Sequence, residues 1–344
     1  MIDQSKIGMA QAAAWMRSIV GPDQSYLSVG MVYGIAISLL SLATPISVQL
    51  LINSVANIAL PTPLFTLSAI LFVLLLIVVV LSALRVHLMF LFERRVFART
   101  VAEITIEAVQ AKNPFFADAN RTDLFNRYFD LVTVQKAVPS LIIGGFTILL
   151  QSAVGLIVTS FYHPFFLAFN VVLIAFVYLI WRIWSRGAIQ SAVALSHAKH
   201  ETARWLESVG GSNGFYKSSR HLDFAMDRSE AVTATYVRQH RHHFRATFAQ
   251  TLAYLLLYAI ASAALLALGG WLIIQNQLSI GQLVAAELIL SGVFYGISQL
   301  GGYLESFYDL IASCEELSLL HSIPGEEVTE SAVQHPVDGA VVLR

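Results

Sequence analysis

The chain has 344 residues, 56% of them hydrophobic and only 12% charged, with a mean hydropathy of +0.67 and a formal net charge of −1. Soluble domains rarely combine these values, so composition points to a membrane protein, and the near-neutral charge leaves no electrostatic footprint for nucleic acid. The single cysteine, Cys314, excludes an intramolecular disulfide and any multi-cysteine zinc site, and its ordinary role is that of a small buried apolar side chain.

Residues 1–26 mix acids, amides and bases, and the apolar segment behind them is too long for the core of a cleavable signal peptide. They read as a cytoplasmic N-terminal segment. A helix needs about 20 apolar residues to cross a bilayer, and six stretches qualify: 27–58, 64–92, 138–161, 164–184, 248–273 and 281–303. Pro45 is expected to kink the first of these, and Arg85 and His87, near the inner end of the second, are expected to snorkel to the headgroups. The spans form three close pairs joined by ANIALPTP, SFYHPF and IIQNQLSI, and none of the 21 lysines and arginines lies in these short loops. The excess of basic residues marks the cytoplasmic side. Both termini and the two long polar connections, 93–137 and 185–247, are therefore expected in the cytoplasm.

Neither glycine nor proline interrupts Leu64 to Ala111 or Phe215 to Leu268. Read as continuous helices, these run about 70 and 80 Å, against a hydrocarbon core of about 30 Å. A third long helix runs from Phe165 through Gly187 to Val209, where Gly210, Gly211 and Gly214 cluster and should let the chain reverse. The long connections thus read as two projecting helical hairpins, one with its tip at KNPFF, where Pro114 stands, and one with its tip at GGSNG.

The second tip, GGSNGFYKSS, invites a phosphate-binding reading. A P-loop requires G-x-x-x-x-G-K-[ST] after a buried strand. Gly211 and Lys217-Ser218 fit, but Tyr216 stands where the second glycine is needed, and the preceding AKHETARWLESV has helical character. The nucleotide reading therefore fails. Trp205, Phe215 and Tyr216 instead flank the turn with bulk suited to a groove on a partner. HRHHFR at 240–245 lacks a cysteine or nearby acid to complete a zinc site and reads as a basic helix face, and the histidines of SHAKHET at 196–202 are likewise expected on a solvated arm. Glu287 is the only acid within a span, about 10 Å deep from the outer face by helical rise. With Gln299, Gln151 and Gln49 it is a candidate for lining a path, although such amides, Gln250 among them, also bond across packed helices.

With the topology in place, PFFADANRTDLFNRYFD resembles the first cytoplasmic hairpin of type-1 ABC exporters, with Asp123, Leu124, Arg127 and Asp130 in place and Thr122 where a glycine is usual. GGWLIIQNQLSIGQLVAAELIL is similar to that family's last loop and sixth helix, through Leu278, Gly281, Gln282 and Leu283. IASCEELSLLHSIPGEE resembles that helix's exit, with Glu316 at a position that is often arginine. The resemblance covers about residues 12–330. It implies an all-α polytopic membrane fold over 27–323 that works as a homodimer or heterodimer of transmembrane domains in lipid, with ATP and magnesium held by a nucleotide-binding domain. It also implies outward transport, with a tilt toward peptides or proteins, across a bacterial inner membrane. Asn113, Pro114, Phe115, Phe116 and Asp118 in the first tip and Gly210, Gly211, Asn213, Gly214, Phe215 and Tyr216 in the second would dock on that domain. The chain itself carries no P-loop, signature or Walker B sequence and is expected to bind no cofactor and to catalyse nothing alone. Residues 324–344 end in DGAVVLR, which looks like the opening strand of such a domain, cut off after a few residues. A membrane half that recruits a separate ATPase is the other expectation. The alternative function is a membrane scaffold or sensor whose hairpins engage another partner. An intramembrane enzyme is disfavoured, because neither HExxH nor GxSxG occurs.

Overall fold

The structure, a computed structural model, describes residues 9–58, 62–112, 122–320 and 326, and these form helices joined by short turns. In order they are α1 (Met9–Val20), α2 (Gln24–Leu40), α3 (Ala43–Ile58), α4 (Thr62–Val109), α5 (Asp130–Ser140), α6 (Phe146–Ser160), α7 (Pro164–Gly211), α8 (Ser219–Ile274) and α9 (Ile280–Leu320). A short 3₁₀ segment, Thr122–Phe129, leads into α5, and a π-helical turn, Leu141–Gly145, joins α5 to α6. Six helical stretches are long and apolar enough to cross a membrane.

The uninterrupted sequences do form uninterrupted helices. α4 and α7 each run 48 residues and α8 runs 56, about 72 and 84 Å at 1.5 Å per residue, more than twice the hydrocarbon thickness. The first span is interrupted near Pro45 by a two-residue turn, Ser41-Leu42, because Pro45 has no N–H to return to the Ser41 carbonyl in the first turn of α3. Pro139 likewise lies inside α5, and a π turn follows two residues later.

Two helix starts are fixed by side chains at the short-loop end. His163 caps α7 by accepting a hydrogen bond from the Phe165 amide at 3.2 Å, with Pro164 in the first helical position. At α9, the Gln282 side chain accepts from the Ser279 amide at 3.0 Å, and the Ser279 hydroxyl accepts from the Gln282 amide at 3.1 Å. This reciprocal pair is a capping box, and it explains the S-I-G-Q start of the last helix. Asn276, just before it, takes the left-handed conformation (φ 59°), which asparagine tolerates better than most residues.

Burial is inverted relative to a soluble bundle. None of the most apolar stretch of α4 is buried, whereas half of that of α9 is. Phe72, Val79, Val86 and Phe90 of α4 are more than half exposed, which suits a lipid-facing helix. α9 is the central element and contributes to all three apolar clusters. Leu310, Cys314 and Leu317 pack with Ile19, Phe92 and Leu131. Leu290, Phe294 and Ile297 pack with Leu173, Tyr254 and Leu265. Tyr308, Ile311 and Ala312 pack with Ala188, Ile189 and Val193. Glycines bring α6 and α9 close from both sides: a Cβ on Gly155 would lie 2.8 Å from Ile289, and one on Gly296 would lie 2.6 Å from Ile148. Small residues at helix contacts serve this purpose in lipid, where no hydrophobic force drives helices together.

Polar residues lock the same framework. Asp23, at the α1–α2 junction, is fully buried and accepts from Arg95 Nε at 2.8 Å and Arg99 Nε at 2.9 Å on α4. Arg99 also donates to the Ile19 carbonyl at 2.6 Å. The expectation that Arg85 snorkels is overturned. Arg85 is 6% exposed and donates from Nη1 to the Thr147 hydroxyl on α6, because it lies on the face of α4 that meets α2 and α6 rather than on the lipid face.

Candidate functional site: a helical tip, a polar stripe and the ion network between them

α7 and α8 form a hairpin that reverses at residues 212–218. The reversal does not use left-handed glycine. Gly210 and Gly211 complete the last turn of α7, Gly214 has φ −61° and ψ −35°, and a Cβ on any of the three would meet nothing within 4 Å. The phosphate-cradle reading has no support in the geometry either, since the loop follows a helix and leads into a helix.

The tip is an aromatic cap. Phe215 stacks on His221 with centroids 4.1 Å apart, and Tyr216 packs edge-on against Phe215 at 5.2 Å and Trp205 at 6.0 Å. His221 Nδ1 donates to the Phe215 carbonyl at 2.8 Å, and Trp205 Nε1 donates to the Ser229 hydroxyl at 2.8 Å, so the rings are held across the turn. Yet Leu206, Phe215, Leu222, Phe224 and Met226 are each more than half exposed, and Asn213 is exposed at the apex. A rigid cap with this much apolar surface, at the far end of helices longer than a bilayer, is suited to docking.

The first-tip residues Asn113, Pro114, Phe115, Phe116 and Asp118 lie outside the described residues, as do the side chains of Asp123 and Leu124. The chain returning from that tip is described from Thr122. Asn126 donates to Glu207 on α7 at 2.7 Å, four positions before the end of that helix. The two long connections therefore run side by side near the second tip.

Arg127 and Asp130, the two charged motif residues that are described, each find a partner that no local reading supplies. Arg127 donates from Nη1 to Glu316 near the end of α9. Asp130 is 1% exposed and accepts from Lys199 Nζ at 2.5 Å and from His200 Nε2 at 2.5 Å. Burial alone would raise the Asp130 carboxyl, but His200 and Lys199 outweigh it and hold it below the usual carboxylate range. One turn earlier on α7, His197 Nε2 lies 3.0 Å from Glu315 Oε2 and 3.7 Å from Glu316 Oε1. Its hydrogen bond to Glu315 raises the imidazole against the opposing effect of burial. Burial pushes the Glu316 carboxyl up, despite Arg127 beside it.

The solvated reading of the two histidine segments is thereby corrected in part. His200 and His243 are 8% and 5% exposed, and His243 Nδ1 shares a 2.9 Å hydrogen bond with Ser191 on α7. His240 and His242 are not buried. His243 is turned inward by the packing of α8 on α7, and His200 by its contact with Asp130 on α5.

The path candidates separate by exposure. On α9, Leu288, Ser291, Gly292, Tyr295, Gln299, Gly302, Glu305 and Asp309 are exposed although the rest of the helix is mostly buried. Steps of three and four put them on one face. Gln299 sits in the middle of this stripe, and Glu287, half-buried, sits at its edge and accepts from Ser291 at 3.3 Å. Gln151 is exposed on α6. Gln49 instead accepts from Tyr162, in the turn between α6 and α7, at 2.9 Å, and Gln250 on α8 accepts from Tyr308 on α9 at 3.1 Å, so both amides bond to other elements. An apolar cavity of about 630 Å³ opens between α1, α6 and α9, walled by Met16, Leu27, Phe146, Trp181, Tyr303 and Phe307.

Among the described residues the chain is all-helical, with six helices long and apolar enough to cross a membrane, which is compatible with an integral multi-pass membrane protein. No family model matches the chain and no curated protein matches it.

Proposed function

We propose that the chain is the membrane-spanning, substrate-translocating half of an ATP-driven exporter of the ABC type-1 class, acting as a dimer of such halves with nucleotide-binding domains on the cytoplasmic side. One observation carries this reading. The α7–α8 hairpin ends in an exposed aromatic cap, and near that cap it is tied to the return of the other long connection through Asn126 and Glu207. Paired levers that present a docking face suit the transfer of rigid-body motion from a motor domain into a helical bundle. The exposed polar stripe of α9 supports a path beside it, and the absence of lysine and arginine from the short loops supports tips in the cytoplasm. The direction is outward, and peptides or proteins are the favoured cargo class on the resemblance of the S-I-G-Q-L start of α9.

The test is Phe215→Glu and Tyr216→Glu in the complete transporter reconstituted in proteoliposomes. Charge at the cap should uncouple ATP hydrolysis from transport by tenfold or more while nucleotide binding stays intact. Loss of nucleotide binding would return the tip to a phosphate-binding role. Failure of the full-length protein to associate with any ATP-binding cassette domain, or to support flux, would favour the scaffold or sensor.

A further inference from the structure

We propose that His197, Glu315 and Glu316 form a binding site for a divalent transition-metal ion of the zinc class, which clamps α7 to the end of α9. The three donor atoms, one from each residue, lie within 4.8 Å of one another. His197 Nε2 is 3.0 Å from Glu315 Oε2 and 3.7 Å from Glu316 Oε1. Ligands about 2.1 Å from a tetrahedral ion stand about 3.4 Å from each other. The site therefore has nearly the spacing an ion requires before one binds.

A second observation points into the same space. The Glu316 side chain is fully buried, its Oε2 is held by Arg127, and its Oε1 has no hydrogen-bond partner. A buried carboxylate oxygen left without a donor is costly, and here it faces the imidazole of His197. A cation between them satisfies it. Arg127 then serves as the outer partner that orients a ligating carboxylate, an arrangement that metal sites commonly need.

The donor set indicates the ion. One imidazole and two carboxylates suit zinc or a neighbouring first-row ion, whereas calcium and magnesium favour oxygen alone. Two carboxylates balance the charge of M²⁺, and Arg127 remains outside the coordination sphere. The ion takes the place of the proton shared between His197 and Glu315: the His197 Nε2–H bond breaks, an Nε2–metal bond forms, and the proton leaves to solvent. His197 is 36% exposed while both glutamates are buried, so it is the side of the site open to an entering ion. Water supplies the fourth ligand. The consequence is mechanical, because the ion would fix the base of the α7–α8 arm to the segment that leads out of α9.

Zinc titration of the purified full chain in nanodiscs tests this, with bound metal counted after equilibrium dialysis. Wild type should retain one Zn²⁺ per chain, and H197Q and E315Q should each weaken binding at least about tenfold. The control H240Q/H242Q, which alters the other histidine segment, should bind as wild type does. Folded wild type that retains no zinc overturns the proposal, and so does binding that is unchanged in H197Q and E315Q or lost in H240Q/H242Q. Glu316 is left intact because removing it strands Arg127. If E315Q fails to elute as a folded species, H197Q decides alone, since its side chain is already in part solvated.

Discussion

Asp130→Asn should destabilise the fold by roughly 2–4 kcal/mol, and the structure shows where that cost arises. Stranding one member of a buried ion pair typically costs about 3–5 kcal/mol. Neither partner of Asp130 is fully stranded, however. The Lys199 side chain is 49% exposed and can turn its ammonium to water, so its share is below about 1 kcal/mol. The His200 side chain is only 9% exposed and would keep a weakened hydrogen bond in place of its contact with the carboxylate, at about 1–3 kcal/mol. Lys199→Met should therefore cost less than about 1 kcal/mol, several times less than Asp130→Asn. The pH profile supplies an independent sign. His200 and Lys199 hold the Asp130 carboxyl below its ordinary value, so its contribution is complete above the unfolded value near pH 4 and is lost as pH falls through the lower folded value. Asp130→Asn should flatten that acid limb. The assay is thermal unfolding in nanodiscs, followed by intrinsic fluorescence from pH 3 to pH 7. Equal losses in Asp130→Asn and Lys199→Met, or an acid limb that persists in Asp130→Asn, would refute the assignment of Asp130 as the centre of the lock.

Three further outcomes follow from the packing. Gly296→Leu must push Ile148 away from α9, so it should cost about 1–3 kcal/mol by overpacking and lower the thermal midpoint; Gly292→Leu, which meets nothing within 4 Å, is the control. Thr147→Val removes the hydroxyl that receives Arg85 and should destabilise by about 1–3 kcal/mol. Combining it with Arg85→Met should recover most of that loss, because a buried charge is then replaced by apolar volume; a double variant worse than Thr147→Val contradicts this. His243 is held below its ordinary value, first by burial and then by the charges of His240 and His242, although Glu305 opposes them. Its neutral form is the folded one, so its contribution is present above about pH 6.5 and is lost as pH falls through the lower folded value. His243→Asn should remove that step from a stability titration between pH 5 and pH 7, and an unchanged step would place it on another group.

The long helices were legible because their signal is local. An absence of glycine and proline over some fifty residues leaves the backbone no cheap place to bend, and α4 and α8 follow those runs closely. The turn at Ser41-Leu42 was legible in the same way, since Pro45 marks the place where one helical hydrogen bond is missing. The histidines, by contrast, were misread. His197, His200 and His243 sit in polar segments that look solvated, and their partners lie 118, 70 and 52 positions away. Helical periodicity assigns a residue to a face, but it does not say what that face meets. Arg85 failed identically: position near a span end suggested snorkelling, whereas its face of α4 turns toward Thr147. Glu316 stood out only as an acid where the resemblance expects arginine, and its pairing with Arg127, 189 positions away, was not legible in the sequence.

The ion network also bears on how a displacement at the tip could reach the stripe on α9. α7 and α8 pack along each other and against α9 through apolar clusters whose large side chains, Tyr254, Tyr308, Phe294 and Leu265, are almost wholly buried. Such interfaces have discrete packings rather than a continuum of them. Apolar contacts alone would still allow α9 to slide along its axis, because the facing surfaces are chemically uniform. Arg127 to Glu316 and His197 to Glu315 remove that freedom at one end, while the Gly155–Ile289 and Gly296–Ile148 contacts remove it within the bundle. Under the proposed function, a rotation entering at the aromatic cap would therefore pass to α9 as rotation rather than be lost as translation. Because the polar stripe occupies one face of that helix, rotation is the motion that changes which side of the bundle the stripe addresses.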